Sequence, residues 1–265
     1  KIYGVNELLK ENSDGIAMYR DKYDEEGNNI ETKMYGVNEL LKENIDGIAM
    51  YRYKYDEYGN QIEQRNYDSD EWFREDNNGV AMFRKKYNNY GKVIEKRHYD
   101  TNDKLKENSN GVAIIRWEYD EFGRIIDNRN YGTDEQLKEN KDNIAMYRYE
   151  YDEKGNLFES RQYGIDEQLK ENKDNIAMYR YKYDEYGNTI EAKMYGVNEL
   201  LKENINGIAM YRYRYDEYGN EIEQKMYCTD YKLKENNWGV AMYLSEYDKN
   251  GRKTEMKFYG TNKKP

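Results

Sequence analysis

One 32-residue repeat is written eight times in this chain without an insertion or a deletion. The repeats open at Tyr3, Tyr35, Tyr67, Tyr99, Tyr131, Tyr163, Tyr195 and Tyr227, and a partial ninth opens at Tyr259. A fixed period of this length constrains the architecture before any local reading, because each repeat must bury its apolar side against its neighbours. Residues 1–265 are therefore read as a single repeat array, and whatever one repeat does the chain does about eight times.

The sixth repeat displays the local pattern. Ile176-Ala-Met-Tyr-Arg-Tyr-Lys-Tyr183 is rich in strand formers and contains no glycine or proline. Asp184-Glu-Tyr-Gly187-Asn188 follows, and Thr189 to Tyr195 reads as a second strand. Asp at the first turn position and Gly at the fourth suit a type I turn closed by a glycine bulge. Glycine fills that slot in every repeat, from Gly27 to Gly251. The predicted structural turn residues are thus Asp56, Gly59, Asp120, Gly123, Asp184 and Gly187 and their equivalents.

The remaining segment, Gly164 to Asn175, is either a short helix capped by Asp166 or a turn, a short extended piece around Leu169 and a second turn. Only one apolar position recurs there and so short a helix is marginal alone, which favours the second form. Simple alternation puts Ile176, Met178, Arg180, Ile190 and Met194 on one hairpin face and Ala177, Tyr179, Tyr181, Tyr183, Glu191, Lys193 and Tyr195 on the other. The aliphatic face is the expected interior.

A single-coil β-helix is disfavoured. It would stack Glu11, Glu43 and their equivalents about 4.8 Å apart, with a repulsion of roughly 1 kcal/mol per pair. Two strands per repeat allow opposite charges to interleave. The expected fold is all-β: eight hairpin repeats forming an elongated twisted sheet or an open superhelical solenoid.

Composition narrows the function. The net charge of −10 argues against nucleic acid as a partner, since phosphate binding needs a positive surface. No apolar run reaches the ~18 residues of a membrane span. A single cysteine, Cys228, rules out an internal disulfide, and the single histidine, His98, nearly closes the route to a nucleophilic triad. His98 is expected to be an ordinary strand residue. Repeated carboxylates suit turn capping and cross-strand pairing better than catalysis, and the acidic stretch Asp68-Ser-Asp70-Glu71 lacks calcium-loop spacing. No catalytic residue, metal site or cofactor is expected. The chain begins at Lys1, which suggests a fragment or a processed chain.

The turn-tip slot holds Tyr58, Tyr90, Phe122, Tyr186 and Tyr218, but also Glu26, Lys154 and Asn250. A slot that accepts Lys and Asn faces solvent, so these aromatics are either partner contacts or packing for the next hairpin. Repeats two and seven differ over 35–64 and 195–224 only at Asp46/Asn206, Lys54/Arg214 and Gln61/Glu221, the mark of recent duplication.

The core Arg52-Tyr53-Lys54-Tyr55-Asp56-Glu57-Tyr58-Gly59-Asn60, matched by Glu118-Tyr-Asp120-Glu-Phe-Gly123-Arg124 in the fourth repeat, resembles the YD repeats of Rhs-type proteins. The resemblance covers about ten residues per repeat. It implies a hairpin sheet and a bacterial surface or secreted setting, but the strict period and the short array depart from that family's enclosing shells. A weaker resemblance is to choline- and glycan-binding repeats of cell-wall proteins, whose aromatics line pockets between hairpins; Trp72, Trp117 and Trp238 each fall in a different slot here. The expectation is a non-enzymatic structural or adhesive scaffold, extracellular or at the cell surface, whose partner is a protein or glycan surface. A carbohydrate-binding module with tyrosine-lined grooves and a head-to-tail self-associating fibre subunit are the alternatives.

Overall fold

Each repeat contributes two strands and three tight turns. The computed structural model describes residues 9–262, and among these it is all-β with no helix. The strands of the first four hairpins are β1 (Met18–Tyr23), β2 (Asn29–Tyr35), β3 (Met50–Tyr55), β4 (Gln61–Tyr67), β5 (Met82–Tyr87), β6 (Val93–Tyr99), β7 (Ile114–Tyr119) and β8 (Ile125–Tyr131). The last four are built from β9 (Met146–Tyr151), β10 (Leu157–Tyr163), β11 (Met178–Tyr183), β12 (Thr189–Tyr195), β13 (Met210–Tyr215), β14 (Glu221–Tyr227), β15 (Met242–Tyr247) and β16 (Lys253–Tyr259). The chain divides into two compact units, residues 1–141 and 142–265. In each, consecutive strands pair antiparallel in chain order, and the sheet stays open.

All three turns of a repeat have the same form. In Asp56–Asn60 the Gly59 N–H donates to the Asp56 carbonyl and the Asp56 N–H to that of Asn60. The same pair of bonds closes Gly36–Leu40 and Asn44–Ile48. The fourth residue of each takes positive φ: Gly59 at 79°, Gly47 at 75° and Glu39 at 58°. Between the last two turns the chain touches the sheet at single bridges such as Tyr163↔Leu169. The turn, short extended piece and second turn are therefore present, and the helix is not.

The expected sorting of faces needs correction. Met178 lies opposite Tyr195, Tyr179 opposite Met194 and Arg180 opposite Lys193, with a register shift that leaves Ile190 unpaired. One bulged residue reverses the parity of the return strand. One face thus carries Tyr179, Tyr181, Ala192 and Met194. The other carries Met178, Arg180, Lys182, Glu191, Lys193 and Tyr195.

Neither face alone is the interior. Burial changes along the strands instead. Ile176, Ala177 and Met178 at the hairpin base are fully buried, as is nearly all of Met194, while Tyr186 at the tip is 83% exposed. Ile176, Met194, Ile208 and Met226 form one continuous apolar cluster under Tyr179, Tyr211 and Tyr243. The recurring alanine at the base is fully buried and bonds two strands at once. The Ala49 N–H donates to the Tyr67 carbonyl, and the Ala49 carbonyl accepts from Met34.

Neighbouring hairpins are offset. Within a hairpin Met178 faces Tyr195, and across the next junction Lys193 faces Met210. Met178 is the equivalent of Met210, so each hairpin is displaced two residues along the strand direction from the one before it. The Glu63↔Arg84 pairing repeats the offset in the first unit.

Candidate functional site: grooves between hairpin tips

The Tyr-Asp pair, replaced in the third repeat by Tyr87-Asn88, performs two separate jobs. The tyrosine locks neighbours together: the Tyr55 hydroxyl donates to the Asn29 carbonyl at 2.8 Å, Tyr87 to Gln61 at 2.7 Å, Tyr183 to Leu157 at 2.7 Å and Tyr215 to Thr189 at 2.9 Å. The aspartate locks the turn. Asp56 Oδ1 accepts from the Tyr58 and Asn60 N–H groups at 3.0 and 2.8 Å, and Oδ2 from Asn60 Nδ2. Asp184 does the same for Tyr186 and Asn188. Asp120 caps Phe122 and Arg124. Hydrogen bonds from Asn60 and Asn188 hold the Asp56 and Asp184 carboxyls below their ordinary range. Gly59, Gly123 and Gly187 all sit at positive φ, as the turn requires.

These locks aim the tip aromatics outward. Tyr58, Tyr90, Phe122, Tyr186 and Tyr218 are all at least 73% exposed. They are not packed into the next hairpin. At three junctions between adjacent tips lies a groove, lined largely by the same slots. Asp24, Asn28, Ile30, Tyr53, Tyr55, Glu57 and Tyr58 line the first, of about 900 Å³. Asp184, Asn188, Ile190, Tyr213, Tyr215, Glu217 and Tyr218 line its counterpart in the second unit, of about 510 Å³. Between the second and third hairpins the groove holds Tyr58, Asn60, Ile62, Tyr87 and Asn88, with Lys85 where the others have Tyr53 or Tyr213. Burial raises the phenols of Tyr53 and Tyr213 above their ordinary range, and that of Tyr181 to about 12. These hydroxyls stay protonated as hydrogen-bond donors at neutral pH.

The opposite face carries the expected cross-strand pairing of carboxylates with cations, extended into a network around a buried acid. Glu63 is buried, yet Lys54, Arg65 and Arg84 approach it at 2.9, 2.9 and 2.8 Å. Burial alone would raise its carboxyl; hydrogen bonds from Arg84, Lys54 and Arg65 outweigh that and hold it at about 2. Glu95 repeats the cage with Lys86, Arg97 and Arg116 and is likewise held at about 2. Each strand arginine also lies over the tyrosine that opens the next repeat, as Arg84 over Tyr99 at 4.9 Å and Arg116 over Tyr131 at 4.6 Å. An outer acid completes the network: Glu71 pairs with Lys33 at 2.6 Å, and Glu135 with Arg97 at 2.8 Å. Those acids, Glu39 to Glu199, occupy the positive-φ position of a turn. The one sequence signal for this was an acid recurring at the same repeat position.

The interleaving of opposite charge is also present. Glu11 pairs with Lys42 at 2.6 Å, Glu43 with Arg74 at 3.0 Å and Glu171 with Lys202 at 2.5 Å. Asp68 and Glu71 are committed to a turn and to cations. Among the described residues no group of three or more His, Cys, Asp or Glu side chains converges in a metal-binding arrangement. Cys228 is a free thiol, half-buried in a turn.

No protein-family model matches the chain, and no curated protein matches it. Solved structures do. A crystal structure of TcdB2-TccC3-Cdc42 is similar over 89% of this chain at 16% identity and a TM-score of 0.44. TcdB2-TccC3 without its hypervariable C-terminal region is similar over 98% at 13% identity and a TM-score of 0.38. The Tc holotoxin pore of Photorhabdus luminescens is similar over 93% at 13% identity and a TM-score of 0.31. This chain spans only 12–15% of the length of those chains.

Proposed function

We propose that this chain is a non-enzymatic repeat scaffold that presents a row of equivalent grooves to an extended partner at the cell surface or outside the cell. The observation that carries this reading is the recurrence of one groove, built from the same slots, at separate hairpin junctions. Each groove offers a rigid phenol ring, an amide and a carboxylate on a frame fixed by inter-repeat hydrogen bonds. A single such contact is weak. Several engaged on one partner raise avidity by ~10²–10⁴.

The exposed tip tyrosines and the hydroxyl-bearing groove walls favour a glycan as the second reading, since sugars stack on rigid aromatic faces and bond to amides and carboxylates. The test is a glycan and cell-surface protein array probed with chains of two, four and eight repeats. Binding that steepens with repeat number and falls when Tyr58, Tyr186 and Tyr218 become alanine supports the scaffold. Binding that is independent of repeat number overturns it.

A further inference from the structure

The third hairpin breaks the charge pattern of the array. Over Met82–His98 it carries Arg84, Lys85, Lys86, Lys92, Lys96 and Arg97 against the single carboxylate Glu95. The equivalent stretch of the second hairpin, Met50–Asn66, balances Arg52, Lys54 and Arg65 against Asp56, Glu57 and Glu63. This is a cationic island in a chain of net charge −10.

The excess is concentrated on the aromatic face. Arg84 and Arg97 belong to the carboxylate network of the other face, and Lys86 pairs with Glu95. Lys85 and Lys96, by contrast, stand directly opposite each other on β5 and β6. Their slots hold Tyr53 and Gln64 in the second hairpin and Tyr181 and Ala192 in the sixth. Both ammonium groups lie over the same Phe83 ring, at 4.9 and 4.5 Å from its centroid. Neither has a carboxylate within ion-pairing distance among the described residues. Opposite Phe83 lies His98, buried, with Nδ1 lacking a hydrogen-bond partner. Like charges directly opposite each other on a sheet destabilise it. Here the repulsion is increased by half-burial, which lowers both lysines from their ordinary value, Lys96 further through Lys85. Asp76 is the acid that acts on Lys96 and His98, and its Oδ1 is held by the Asn78 and Val80 N–H groups.

We infer that the Lys85–Lys96 pair over Phe83 is a binding site for a doubly charged oxyanion, the phosphate or sulfate group of a ligand. Such a group would accept from both ammoniums at once and cancel the repulsion that the fold otherwise bears. The site lies on one hairpin, not on all, and shares Lys85 with the groove between the second and third hairpins.

The test compares the wild-type chain with K85Y/K96Q, which restores the residues of the second hairpin and so should fold, and with Y53K/Q64K, which transplants the pair. Inorganic phosphate, sulfate and acetate are titrated at matched ionic strength by calorimetry, with the His98 ring resonances followed by NMR. Saturable binding of phosphate, sulfate or both to the wild type, weakened at least tenfold in K85Y/K96Q and gained at the second hairpin in Y53K/Q64K, supports the inference. The stronger of the two anions tells a phosphorylated from a sulfated ligand. Equal effects in wild type and K85Y/K96Q, a response to acetate alone, or no saturable response in the wild type overturns it.

Discussion

The base and the tip of each hairpin are built from the same two strands yet obey different rules. At the base, Ile208, Ala209 and Met210 are fully buried, Ala209 is bonded to the strands on both sides, and the equivalent slots admit little beyond aliphatics. At the tip, Tyr218 is 82% exposed, and its slot tolerates Glu26, Lys154 and Asn250. What must be kept for folding is thus separated, along a single strand, from what is open to change for binding.

The sharpest break of this contrast is at the base. Ile208→Ala should cost about 3–4 kcal/mol in urea unfolding, because the cavity opens within a cluster shared by successive hairpins. A cost under 1 kcal/mol would mean the base is not the core. His98 is a polar intruder in the same layer. Burial, and then Lys96, lowers its imidazole to about 4, while the unfolded chain takes up its proton near 6.5. The unfolded state therefore binds more protons between those values, and stability must fall as pH drops from 6.5 to 4, by about 3 kcal/mol at full shift. His98→Asn, the residue of the equivalent Asn66 and Asn130, should flatten the curve in that window; an unchanged curve refutes the assignment.

Midway along the strands, Glu63→Gln leaves Arg84, Arg65 and Lys54 facing one another and should cost about 2 kcal/mol, less than a fully buried pair because those cations are half-exposed. The wild-type contribution of this carboxylate should vanish as pH falls from 4.5 through about 2. Nearer the tip, Tyr215→Phe removes one hydroxyl bond to the Thr189 carbonyl and should cost about 1 kcal/mol. At the tip itself, Tyr218→Ala should change stability by under about 0.5 kcal/mol while weakening partner binding. A large stability loss there would show that the tip is structural after all.

Much of this was legible in the residues. Asp184 and Gly187 announce the hairpin turn through the conformations they favour, and the recurring Glu11 slot announces charge interleaving through the period, though not Lys42 as its partner. The bulge at Ile190 was not legible, since no residue type demands it, and that single unpaired position misassigned Met194 and Tyr195 to the wrong faces. Glu39 and its equivalents hid as well: a glutamate gives no warning of positive φ, and only the cations beside it explain why it is held there. The exposure of Tyr58 and Tyr186 was readable from slot tolerance, but the groove between them requires knowing which hairpins adjoin. The lysine pair at 85 and 96 was visible only as excess charge until the register set the two side by side.

The two-residue offset between neighbouring hairpins sets a ruler for whatever binds along the tips. Two strand widths of about 4.8 Å and two residue rises of about 3.4 Å combine to roughly 12 Å between equivalent grooves, rather than the 10 Å of a square stack. A polymer whose recognised groups recur at about that interval, or a simple multiple of it, can occupy consecutive sites without stretching, and one with a mismatched pitch loses step after a few.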